Sequence, residues 1–131
     1  MTKPLDFRFE HIHVYASDLD TSERWFVDKL GAEVIERREG GGAPSLFLRL
    51  GDRFVIVRGP NPGEVLAPAT GGQFGTDHFG VLVDNLAETA AELKARGVKF
   101  TVEPYEIRPG VHISFIEGPD RVSIEVLQRD S

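Results

Sequence analysis

The sequence predicts an α+β fold of two tandem β-α-β-β-β modules, with mixed sheets curving around a cavity. Three observations carry that prediction. The stretch Glu10-His11-Ile12-His13-Val14-Tyr15 alternates polar and apolar residues, the period of a half-buried strand. Asp77-His78-Phe79-Gly80-Val81-Leu82-Val83 returns to that theme 67 positions later. In both copies a leucine eight residues after the leading histidine opens an amphipathic stretch that ends in glycine, Leu19 to Gly31 and Leu86 to Gly97. Self-similarity at a fixed spacing marks a duplicated supersecondary unit.

Taken in order, residues 1–7 form a loose lead-in and residues 9–15 the first strand. Asp20, with Glu23 three residues on, offers a helix cap, and Trp25, Phe26 and Leu30 supply the apolar face. Ala32 to Glu39 reads as a second strand closed by Gly40-Gly41-Gly42. Ser45–Leu50 and Phe54–Val57 read as a hairpin across Gly51-Asp52-Arg53. Proline and glycine then accumulate from Arg58 to Thr76 with no periodicity, which marks a linker long enough to cover a binding site.

The second half follows the same plan. His78 to Val83 is a strand, Asn85 a helix cap with Glu88 three later, and Leu86, Ala90 and Leu93 a buried face. Val98 to Val102 is the next strand, and the two prolines between Glu103 and Gly110 predict a loop. His112–Glu117 and Arg121–Leu127 pair across Gly118-Pro119-Asp120. The whole is expected to be one domain over 1–131, with module one about 8–58, a linker about 59–75 and module two about 76–128.

Composition narrows the function. A net charge of −6 with interspersed signs disfavours nucleic acid and anionic membrane surfaces as partners. Cysteine is absent, which excludes disulfides, thiolate ligands and cysteine nucleophiles. The opening Met1-Thr2-Lys3-Pro4-Leu5-Asp6 has no apolar core, and no apolar run reaches membrane-spanning length, so a cytoplasmic protein is expected.

Strand parity then singles out three residues. If Ile12 and Val14 face the helix, His11 and His13 face the cavity; if Phe79, Val81 and Val83 face it, His78 turns away. Val122, Ile124 and Val126 likewise leave Ser123 and Glu125 on the cavity side. Two imidazoles and one carboxylate suit a divalent metal with open positions, and iron, manganese, nickel, cobalt and zinc all accept such a set. A lone histidine or glutamate on a strand is more often structural, so it is the convergence that carries weight. His13 and Glu106 are candidates for moving protons. His112 lies beside the proline-rich stretch with its facing open, and is left out of the metal set.

The paired modules, with His11-x6-Asp18-Leu19, His78-x7-Leu86 and Gly118-Pro119-Asp120-x4-Glu125, resemble the vicinal oxygen chelate superfamily over residues 8–128. That superfamily includes glyoxalase I, fosfomycin-resistance thiol transferases, extradiol dioxygenases, methylmalonyl-CoA epimerases and bleomycin-resistance proteins. The resemblance places His11, His78 and Glu125 at three metal-ligand positions. It implies a lyase or dioxygenase whose small substrate chelates the metal through oxygen atoms. The fosfomycin enzymes carry a tyrosine where this chain has Phe115. Glyoxalase I adds a fourth ligand, a glutamate on the fourth strand of its first module, where the repeat puts Val57. The alternative is a metal-free module that sequesters small molecules, as bleomycin-resistance proteins do; those generally lack the triad. A homodimer is expected, because open sheet edges and an uncovered cavity face are costly, and the family's modules pair within a chain or exchange between chains.

Overall fold

The computed structural model describes residues 4–40 and 42–131, so part of the lead-in and Gly41 of the glycine run lie outside the described residues. The first module comprises β1 (His11–Tyr15), α1 (Leu19–Leu30), β2 (Glu33–Arg38), β3 (Ser45–Leu50) and β4 (Arg53–Arg58). The second comprises β5 (Phe79–Leu82), α2 (Leu86–Ala95), β6 (Lys99–Arg108), β7 (Val111–Glu117) and β8 (Ser123–Arg129). The sheets have the same topology, β1-β4-β3-β2 and β5-β8-β7-β6, with the first pair parallel and the others antiparallel. This is the expected pair of β-α-β-β-β modules.

The helices start and stop as their sequences dictate, with one correction. Asp18 rather than Asp20 caps α1: its extended backbone lets the carboxylate accept the Thr21 N–H at 3.1 Å. Asp20 lies in the first turn instead and pairs with Arg37 at 2.7 Å. Asn85 caps α2 through the Glu88 N–H at 3.0 Å. Gly31 and Gly97 take left-handed conformations just beyond the two helices, where a Cβ would be strained.

The stretch from Glu103 to Arg108, expected as a loop, belongs to β6. Proline cannot donate to a ladder, but β6 is an edge strand and its pairing with β7 slips between Val102 and Tyr105. Pro104 sits in that slip, where the missing N–H costs no hydrogen bond. Residues 119–121 form a short turn, and β8 starts at Ser123 and runs on to Arg129.

Parity sorts each sheet into a helix face and an open face. Leu46, Leu48, Val55 and Val57 bury under α1 with Phe26, while Ile116, Ile124 and Val126 bury under α2 with Leu93. The two groups merge into one core. The modules also meet directly. Trp25 lies against Gly118, where an added Cβ would sit 3.4 Å from the indole, in ordinary contact. The Ser17 N–H donates to the Asp120 carboxylate at 3.0 Å. Lys29 donates to the Arg96 carbonyl and Arg96 to the Lys29 carbonyl at 3.1 Å, a reciprocal contact between positions that the repeat makes equivalent.

Candidate functional site

Register fixes which residues share the open faces. On β1 and β4, His11 lies opposite Phe54, His13 opposite Ile56 and Tyr15 opposite Arg58. On β5 and β8, Gly80 lies opposite Glu125 and Val81 opposite Val126. His13 and Gly80 are repeat equivalents, so the counterpart of Glu125 is Ile56. The sequence-based assignment to Val57 is therefore corrected: Val57 pairs with Val14 and is wholly buried on the helix side. The repeat spacing drifts along the chain. It is 67 from His13 to Gly80, 68 from Phe47 to Phe115 and 69 from Ile56 to Glu125, since strands pair as Phe47–Ile56 and Phe115–Glu125. Only the added residue in the hairpin is evident from sequence. The chemical consequence stands, because isoleucine offers a metal no donor either.

His78 and Glu125 come together. His78 sits one residue ahead of β5, and its Nε2 is 3.0 Å from Glu125 Oε1. Its Nδ1 is 2.8 Å from the Asp77 carboxylate. Phe115, opposite Glu125, stands edge-on to the imidazole with centroids 4.9 Å apart. The Asp77 hydrogen bond holds the His78 imidazolium above its ordinary range; burial opposes this and Glu125 adds to it. Gly80, directly across from Glu125, places no side chain beside the carboxylate.

His11 is placed differently. Its Nδ1 is bonded by the Glu10 carboxylate, and its ring lies 6.1 Å from that of His13. His11, His13 and His78 all line one open cavity of about 1400 Å³ reached from both modules; Glu125 does not line it, whereas Leu30, Glu88 and Leu93 of the helices do, and Thr76 brings the end of the linker to it. Yet His11, His78 and Glu125 do not bring a donor atom each within 4.8 Å of one another. Burial first, then the charges of His11 and Arg58, push the His13 imidazole below its ordinary range. Arg58 stacks on Tyr15 at 4.4 Å, donates to its hydroxyl at 3.0 Å and is held from the linker by Glu64 at 3.2 Å.

Among the described residues, the histidine-carboxylate group whose donors do lie within 4.8 Å is Glu106, His112 and Asp130. His112 Nε2 lies 3.2 Å from Asp130 and 3.5 Å from Glu106. This settles the facing of His112, which pairs opposite Gln128 on the helix parity. Glu106, read from sequence as a proton carrier, belongs to this ion-pair group and does not line the cavity.

The donor chemistry of the His78 pair fits a divalent ion. Two ligand atoms about 2.1 Å from one ion at a right angle lie about 3 Å apart, the spacing of Nε2 and Oε1 here. Sequence reasoning missed Asp77 and Glu10, and noted Phe115 only as standing where the fosfomycin enzymes carry a tyrosine. The signal for the first two was visible, an acidic residue immediately before each leading histidine.

Comparison with known proteins shows the fold and the family. A probable chloroplastic lactoylglutathione lyase of Arabidopsis thaliana is 33% identical over 128 residues, which cover 93% of this chain and 36% of that protein. The chain thus spans about a third of that relative's length. A probable lactoylglutathione lyase of Vibrio cholerae is 30% identical over 127 residues, 92% of this chain and 90% of that one. The crystal structure of a glyoxylase/bleomycin resistance protein/dioxygenase domain from Frankia sp. EAN1pec superposes with a TM-score of 0.80 at 22% identity, covering 95% of this chain and 99% of that one. With the family model matching residues 8–126, the chain belongs to the Glyoxalase/Bleomycin resistance protein/Dioxygenase superfamily.

Proposed function

We propose that this chain is a metal-dependent enzyme of the superfamily, with His78, Glu125 and His11 as ligands of one divalent ion. The observation that carries the reading is the 3.0 Å approach of His78 Nε2 to Glu125 Oε1, with His78 and His11 both lining one cavity between the modules. A bound ion would supply Lewis acidity toward two neighbouring oxygens of a small organic substrate in a lyase or dioxygenase reaction. The chain's own residues do the rest. Phe115 and Gly80 shape the space around the pair, the first by packing and the second by leaving room. His13, held below its ordinary range and so neutral at pH 7, is suited to accept a proton. Ile56 leaves the first module without a carboxylate at the position of Glu125, so three protein ligands keep more of the coordination sphere for substrate. Names borne by the Arabidopsis and Vibrio relatives support a lyase, while Ile56 argues against the four-ligand centre of glyoxalase I.

The ligand set is completed between two copies: His11 of one chain joins His78 and Glu125 of the other in a homodimer. The spacing supports this, since His11 does not reach both partners within its own chain. Purified protein titrated with manganese, nickel, iron and zinc tests the reading; one tight site per chain is expected. A protein that takes up none of them is instead the small-molecule sequestering module, a role that Phe47, Phe54 and Ile56 on the open face would serve.

A further inference from the structure

We infer that Glu10 and Asp77 are positioning residues, each binding the Nδ1 of the histidine that follows and turning Nε2 outward as the donor atom. The purpose assigned to this contact rests on the metal reading above; its geometry does not. A neutral imidazole carries one N–H and one lone pair, and which nitrogen holds which is set by the partner of the other. A carboxylate on Nδ1 keeps the proton there and leaves the lone pair on Nε2.

The arrangement occurs twice. The Glu10 carboxylate bonds His11 Nδ1, and Asp77 bonds His78 Nδ1 at 2.8 Å. The two acids differ by a methylene yet meet the same nitrogen. Neighbours within a regular strand point to opposite faces, so such a contact between consecutive residues is not available inside a ladder. Both acids escape that restriction, because β1 starts at His11 and β5 at Phe79. The other two histidines lack the device. His13 follows Ile12, and His112 follows Val111, has its Nε2 rather than Nδ1 against carboxylates, and lies outside the cavity. The acid before the histidine therefore marks the two imidazoles that the repeat makes equivalent.

Nitrogen-15 NMR of the imidazole side chains and zinc calorimetry test this. In the metal-free protein, at a pH where the rings are neutral, His11 should hold its proton on Nδ1. Glu10→Ala should shift it toward Nε2–H, the form that an unconstrained histidine side chain prefers. In the zinc-loaded protein His78 should bind through Nε2, and Asp77→Ala should weaken zinc binding by about tenfold, the low end for partners of metal ligands because this carboxylate is exposed. Asp77→Asn, which keeps an acceptor oxygen, should recover part of the loss. A His11 tautomer indifferent to Glu10→Ala, or zinc on Nδ1 of His78, would overturn the inference. If the wild type binds no zinc yet the His11 tautomer follows Glu10, the positioning role stands and the metal reading fails.

Discussion

The two modules share topology, cap chemistry and an acid-histidine opening, but they furnish their open faces differently. Module two brings His78, Glu125 and Phe115 together around Gly80. Module one sets His13 where module two has Gly80, and Ile56 where it has Glu125. The difference is confined to one residue pair across the parallel ladder: small beside charged in one copy, imidazole beside apolar in the other.

The largest effect should come from removing the charged donor. Glu125→Ala is expected to lower metal affinity by more than about 100-fold, beyond the cost of altering a ligand's partner. His13→Ala should leave affinity within a few fold. Calorimetry on both variants checks this, and equal losses would mean that the modules contribute alike.

Next comes the division of ligands between copies. Neither His11→Ala nor Glu125→Ala alone should bind metal tightly. If sites are shared across a two-fold dimer, random mixing of the two variants should restore about a quarter of the wild-type sites. Half the dimers are then mixed and each holds one intact site. Zero recovery would place all three ligands within one chain.

The comparison can also be reversed. A carboxylate at Ile56 would meet His13 opposite, whereas Glu125 meets only Gly80. The double variant His13→Gly, Ile56→Glu should therefore build a fourth donor and tighten zinc binding by at least the ~10-fold that altering a ligand's hydrogen-bonding partner changes it. Ile56→Glu alone should not. Metal titration of the single and double variants separates the two outcomes.

Much of this contrast was legible in the sequence. The histidine-to-leucine spacing and strand alternation led to the modules and to the parity of His11, His78 and Glu125. What alternation could not supply was register. The repeat gains one residue before β7 and another in the hairpin, so counting across it with one insertion lands on Val57 instead of Ile56. Pro104 misled for a related reason: its effect depends on whether its strand is an edge, which is a property of sheet order rather than of local sequence. Asp18 and Asp20 both suit a cap, and only the backbone of Asp18 decides between them. The separation of His11 from the other two donors is tertiary, and no local pattern encodes it.

The smallest expected effect lies in the hairpins. The β3–β4 turn meets its need for positive φ with Gly51, at 63°. The β7–β8 turn places two consecutive side-chain-bearing residues there, Asp120 at 57° and Arg121 at 60°. Left-handed backbone costs a residue with a Cβ about 1–2 kcal/mol, less for aspartate, which bonds locally. Asp120 gains something in return, since its carboxylate accepts the Ser17 N–H across the module boundary. Arg121 gains less: a 3.3 Å bond to the Ala69 carbonyl and a 3.8 Å approach to Glu117, both exposed. Arg121→Gly should therefore relieve strain and lose little. Part of the relief is offset, because glycine makes the unfolded chain more flexible. The net gain should be about 0.5–1 kcal/mol, a rise in Tm of about 1–4 °C for a chain of this size. Arg121→Ala serves as the control, since it discards the same guanidinium contacts but keeps the Cβ. A glycine variant no more stable than the alanine one would show that the second hairpin stores no strain that the first avoids.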